Sequence, residues 1–124
     1  MVEDHELVAS AMTILLESVG HEVRCAPSVA QAFDTSRDWR PDVMLLDLTL
    51  PDGSGLELLT LLRDVSLMPP VVVALTGHDD PATTARCRAA GCQEVLLKPV
   101  PTRTLIQLVD RWSQVARDGA RTEE

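Results

Sequence analysis

Aromatic side chains are nearly missing from this chain: one Phe, two Trp and no Tyr among 124 residues. That composition excludes a stacking platform for bases. Cations are not in excess either. Eleven Lys and Arg face nineteen Asp and Glu, and the formal charge of -8 repels phosphate backbones, which argues against direct nucleic-acid binding. No apolar run approaches the ~18 residues of a membrane span, and no secretory signal opens the chain. We therefore expect a cytoplasmic protein with no membrane contact. The three cysteines, Cys25, Cys87 and Cys92, lack a CxxC spacing and read as reduced thiols buried as small hydrophobes rather than a metal site. Internal repeats, linkers and low-complexity segments are lacking too, so the chain is expected to form one domain.

What the chain does have is short apolar runs, each ending in a polar residue. Val43-Met44-Leu45-Leu46 leads into Asp47, and Val71-Val72-Val73-Ala74-Leu75 leads into Thr76-Gly77. Continuous runs this short, bounded by turn residues, predict strands buried on both faces, as in the middle of a parallel sheet. Glu94-Val95-Leu96-Leu97, running into Lys98-Pro99, predicts another strand. Glu22 to Ala26 predicts one more, with Val23 and Cys25 alternating against Glu22 and Arg24.

Helical patterns lie between these runs. Glu6 to Val19 carries Val8, Met12, Leu15 and Val19 at helical spacing and meets Gly20. Ser28 is placed to cap a helix ending near Arg37. Residues from Ser54 to Asp64 put Leu56, Leu59 and Leu62 on one face, before Pro69-Pro70 breaks the pattern. Asp80 and Pro81 start a helix that Gly91 ends, and Thr102 to Arg117 predicts the last. Residues 1–117 are thus expected to form the domain and 118–124 a polar tail. Such alternation predicts an α/β fold, a doubly wound parallel sheet with helices on both faces.

Four polar groups fall at strand ends on one edge of that sheet: Glu3-Asp4, Asp47, Thr76 and Lys98. Ligands bind at this edge in open α/β sheets. Crowded carboxylates raise one another's pKa unless a cation sits among them. Hard oxygen ligands with few protein donors suit Mg²⁺. A carboxylate can also be a nucleophile and form an aspartyl phosphate. The charge of a transferred phosphoryl group calls for an ammonium and a hydroxyl donor, which Lys98 and Thr76 supply.

These segments, together with Leu50-Pro51-Asp52-Gly53-Ser54-Gly55, Ala74-Leu75-Thr76-Gly77 and Ala90-Gly91, resemble the response-regulator receiver domains of two-component signalling. The resemblance runs over nearly the whole chain. It implies a five-stranded parallel sheet in the flavodoxin-like order 2-1-3-4-5. It also implies Mg²⁺-dependent transfer of a phosphoryl group to Asp47 from a histidine kinase or a histidine phosphotransfer protein. By it, Asp4 binds the metal directly, Glu3 acts mostly through water, and Asp47 and the backbone carbonyl of Thr49 complete the protein ligands. Thr76 hydrogen-bonds the phosphoryl group and Lys98 pairs with it. No organic cofactor is implied, and no enzyme activity beyond self-phosphorylation and dephosphorylation at Asp47. A homodimer or docking face is implied on the last two helices and last strand. The Lys98–Pro99 bond is often cis in the family.

Three positions depart from the pattern. Only Met1-Val2 precede the acidic pair, where the family has about five apolar residues, so the first strand reads as truncated and we expect the chain to continue upstream. The family's switch aromatic, three residues before the lysine, is here Val95, which is equally at home as a half-buried β-former. Thr49 and His78 lie at positions that in the family flank the approach of water, so the resemblance implies that they tune the phosphoryl lifetime. Asp52 is the fallback acceptor if Asp47 is removed. A haloacid-dehalogenase-type phosphohydrolase also places a nucleophilic Asp after an apolar strand, but its general-acid Asp would fall at Thr49. A phosphorylation-independent protein-binding module is the other alternative.

Overall fold

A computed structural model describes residues 1–122, with side chains described through 117. The elements in chain order are α1 (Glu6–Ser18), α2 (Val29–Asp38), β1 (Val43–Asp47), β2 (Thr49–Leu50), β3 (Gly53–Ser54), α3 (Gly55–Asp64), β4 (Val71–Thr76), α4 (Pro81–Ala89), β5 (Glu94–Leu97) and α5 (Thr102–Thr122). The central sheet is parallel, in the order β1-β4-β5. All six residues of β4 are buried, which is why the run carries no alternation.

Odd and even positions of the strands feed separate cores. Leu46, Val72 and Ala74 pack with Leu58, Leu59 and Leu62 of α3, Ala32 of α2 and Cys87 of α4. Leu45, Val71, Val73 and Leu75 face the other way, onto Met12 and Leu16 of α1 and Leu105, Leu108 and Val109 of α5. Helices thus cover both faces, as expected.

The order 2-1-3-4-5 is kept, but the first two strands shrink to single bridges. Val2 pairs in parallel with Ala26 on one side and Leu46 on the other. The expected strand from Glu22 to Ala26 is therefore extended chain that reaches a bridge only at Ala26. A strand forms only where a neighbour offers a ladder, and Val2 offers one residue.

Capping chemistry falls where the residues suggested. Ser28 accepts from the Gln31 amide, Ser54 forms a capping box with Glu57, and Asp80 accepts from the Thr83 amide with Pro81 next to it. Two helices differ from their patterns. In α1 the buried face is Ala9, Met12 and Leu16, while Val8 and Val19 are exposed. The segment is apolar on several sides, so its period left the face ambiguous. The last helix continues to Thr122, past Arg117; Glu123 and Glu124 of the expected tail lie outside the described residues.

Cys25 corrects another expectation, for it is exposed, whereas Cys87 and Cys92 are buried. Burial pushes the Cys87 thiol up, and burial with the neighbouring Cys87 pushes Cys92 up to about 12. Only thiolate reacts with alkylating agents. Iodoacetamide at pH 8 is therefore expected to modify Cys25 alone in the folded chain and all three after denaturation. Rapid native labelling of Cys92, read by peptide mass, would contradict this packing.

Candidate phospho-acceptor site

Asp47 closes β1 and is 4 % exposed. Its register partner is Leu75, so the buried Thr76 stands one residue further along, at the end of β4. Beyond β5, the Lys98 amide donates to the Thr76 carbonyl at 2.7 Å, tying these strand ends together. The Lys98 ammonium lies 3.1 Å from Asp47 Oδ2 and 3.7 Å from Glu3 Oε2. The Lys98–Pro99 bond is cis.

The acidic pair arrives from the chain start. Val2 donates to the Leu45 carbonyl and accepts from the Asp47 amide, at 2.7 and 2.9 Å, and Glu3 donates to the Ala26 carbonyl at 3.0 Å. These bonds place Glu3, buried, and Asp4, exposed, beside the end of β1. Carboxylate oxygens of Glu3, Asp4 and Asp47 all lie within 4.8 Å of one another.

Electrostatics explain what such a cluster requires. Burial pushes the Glu3 carboxyl above its ordinary 4.5, the Asp47 charge adds to the rise, and the His5 amide and Lys98 oppose it. Between 4.5 and that raised value the folded chain keeps a proton the unfolded chain has lost. This group's contribution to stability therefore falls as pH rises through the window. Lys98 supplies one positive charge against three carboxylates, so a small divalent cation fits the donor set in both charge and ligand type.

The β2–β3 hairpin follows Asp47 directly, with Thr49 paired to Ser54. Its Thr49 amide donates to Asp47 Oδ1 at 3.1 Å, so one acceptor oxygen is oriented from the backbone while Lys98 holds the other. Thr76 Oγ1 accepts from the His78 amide at 3.0 Å, which leaves its own proton to donate. Val95 is half-buried in β5 and packs against the α2–α3 side of the core, in keeping with its reading as a β-former.

Asp52, at the hairpin tip, has a place the sequence did not reveal. Its two oxygens accept from the amides of Val29 and Ala30, at 2.8 and 3.1 Å, and these bonds hold its carboxyl below the ordinary range. Both oxygens of the expected fallback acceptor are thus engaged with the start of α2.

Comparison with known proteins supplies the family. Residues 1–110 match the profile of the response regulator receiver domain. The chain belongs to that family. It is 32 % identical over 113 residues to the polar-differentiation response regulator DivK of Brucella anthropi, covering 90 % of this chain and 92 % of that protein. The receiver fold also matches the signal receiver domain of a LuxO repressor protein from Vibrio parahaemolyticus. There the TM-score is 0.90 at 22 % identity, over 99 % of this chain and 94 % of the other. A response regulator from Burkholderia pseudomallei, solved with a phosphorylated aspartic acid, a calcium ion and citrate, matches with TM-score 0.77 at 27 % identity, over 99 % and 72 %. As a receiver domain, this chain works with the histidine kinases or phosphotransfer proteins of two-component signalling. Among the described residues, no helix is long and apolar enough to cross a membrane.

Proposed function

We propose that this receiver domain accepts a phosphoryl group on Asp47 from a phosphohistidine of a histidine kinase or histidine phosphotransfer protein, and relays the change through a protein-interaction face. The observation that carries this is the meeting of Asp47, Lys98 and the Glu3–Asp4 pair at one sheet edge. An Asp47 oxygen forms the new bond to phosphorus as the phosphorus–nitrogen bond to the donor imidazole breaks, and that nitrogen takes up a proton. Glu3, Asp4, Asp47 and the Thr49 carbonyl would hold Mg²⁺, which supplies charge neutralisation for the phosphoryl oxygens. Lys98 pairs with one phosphoryl oxygen and the Thr76 hydroxyl donates to another. Thr49, exposed beside Asp47, and His78 border the approach of water and set how long the phosphoryl group lasts. Dimerisation through α4, β5 and α5 belongs to the same reading.

The test is labelling with acetyl phosphate or a phosphohistidine donor, with and without Mg²⁺, read by intact mass. We expect a gain of one phosphoryl group per chain, dependent on the cation and mapping to Asp47. No gain with Mg²⁺ present would instead favour a phosphorylation-independent binding module.

A further inference from the structure

The geometry points to Asp52 as a positioning residue that moors the hairpin carrying Thr49 to the start of α2, and so sets the orientation of the Asp47 carboxylate. This rests on the phospho-acceptor reading only for its consequence in labelling. Asp52 occupies the turn between β2 and β3, and its carboxylate receives the amides of Val29 and Ala30 from an element 22 to 23 residues earlier in the chain. These are the first two residues of α2, whose amides have no partner within the helix. Ser28 serves the next one, Gln31. The helix start is thus capped by two groups, one local and one borrowed from the hairpin.

The borrowed cap works in both directions. A carboxylate at a helix start is favoured by the peptide dipoles and by charge-assisted bonds, so α2 holds the hairpin tip. At its other end the hairpin presents the Thr49 amide to Asp47 Oδ1. The Gly55 amide, bonded to the Leu48 carbonyl at 3.0 Å, and the Ser54 cap on α3 tie down the return strand. Remove Asp52, and the hairpin keeps its α3 tie and the burial of Leu50 but loses these hydrogen bonds to α2. Thr49 is then held less firmly, and with it both the amide on Asp47 and the carbonyl assigned to the cation.

Three variants test this by amide hydrogen exchange, magnesium titration and acetyl phosphate labelling. Asp52→Ala is expected to speed exchange at Thr49 as well as at Val29 and Ala30. It should also weaken Mg²⁺ binding and slow labelling by about tenfold, the lower end for groups that orient metal ligands. Asp52→Asn, which keeps one acceptor oxygen, should restore part of each. Ser28→Ala removes the local cap of the same helix and should speed exchange in α2 while leaving Thr49 and labelling as in the parent. Unchanged Thr49 exchange in Asp52→Ala, or equal loss in Ser28→Ala, would reduce Asp52 to an ordinary helix cap. The Thr49 amide needs neither phosphoryl donor nor cation, so a parent chain that fails to label would defeat the phospho-acceptor reading without deciding this one.

Discussion

Asp47→Asn is expected to abolish phosphoryl labelling and yet to melt at a higher temperature than the parent in metal-free buffer at neutral pH. Deleting a nucleophile commonly costs at least about a thousandfold in rate. Of the carboxylates nearby, Asp52 is held by two amides of α2, and Glu3 and Asp4 belong to the proposed cation site. The fold has less to lose. Asparagine matches the size of aspartate and its oxygen can still accept from the Thr49 amide. One of three crowded negative charges disappears, and Glu3, whose carboxyl burial already pushes up, is relieved of a repelling neighbour. Adding Mg²⁺ should narrow the difference in Tm, because the cation stabilises the parent more strongly. A variant that still labels at the parental rate would move the acceptor elsewhere. A variant that melts lower would mean the Lys98–Asp47 pair outweighs the repulsion.

Gly55→Ala carries the largest expected loss of stability from a single methyl group. Alanine ordinarily favours a helix over glycine by about 1 kcal/mol. Here a Cβ would stand 2.5 Å from the Asp47 carbonyl oxygen and 3.0 Å from Leu46 Cγ, and the first contact is backbone. Something must shift. Overpacking of this kind costs about 1–3 kcal/mol, enough to reverse the propensity gain. The shift falls on the strand end that carries the acceptor, so labelling should slow along with the drop in Tm. Gly77 provides the contrast, since nothing lies within 4 Å of its added Cβ, and Gly77→Ala should melt within a degree or so of the parent. A Gly55→Ala chain with parental Tm and labelling would show that α3 does not press on β1 as described.

The parts legible in the sequence were those decided by local chemistry. The apolar runs of β1 and β4, the Asp80-Pro81 helix start and the polar residue at each strand end all announce themselves within a few residues. What escaped notice depended on distant partners. Glu22 to Cys25 alternates like a strand, but pairing needs a neighbour that the chain around Val2 provides only once. Pro51-Asp52-Gly53 reads as a turn, and the extra pairing of Thr49 with Ser54 adds a hairpin that no periodicity could reveal in two-residue strands. Asp52 reaches α2 across more than twenty residues, and the exposure of Cys25 depends on how α1 lies over it. For the site, residue types indicated the chemistry, but which oxygen faces the lysine and which the Thr49 amide could come only from coordinates.

The attachment of Val2 has a consequence for how this pocket would loosen. Two of its three acids hang from a seam one residue wide, whereas Asp47 is rooted in a full ladder. Displacing Val2 would carry Glu3 and Asp4 away from the end of β1 while Asp47 kept its ladder with β4. A cation clasped between them would then act as a rivet for the whole margin of the sheet, linking the strength of metal capture to the order of the first few residues.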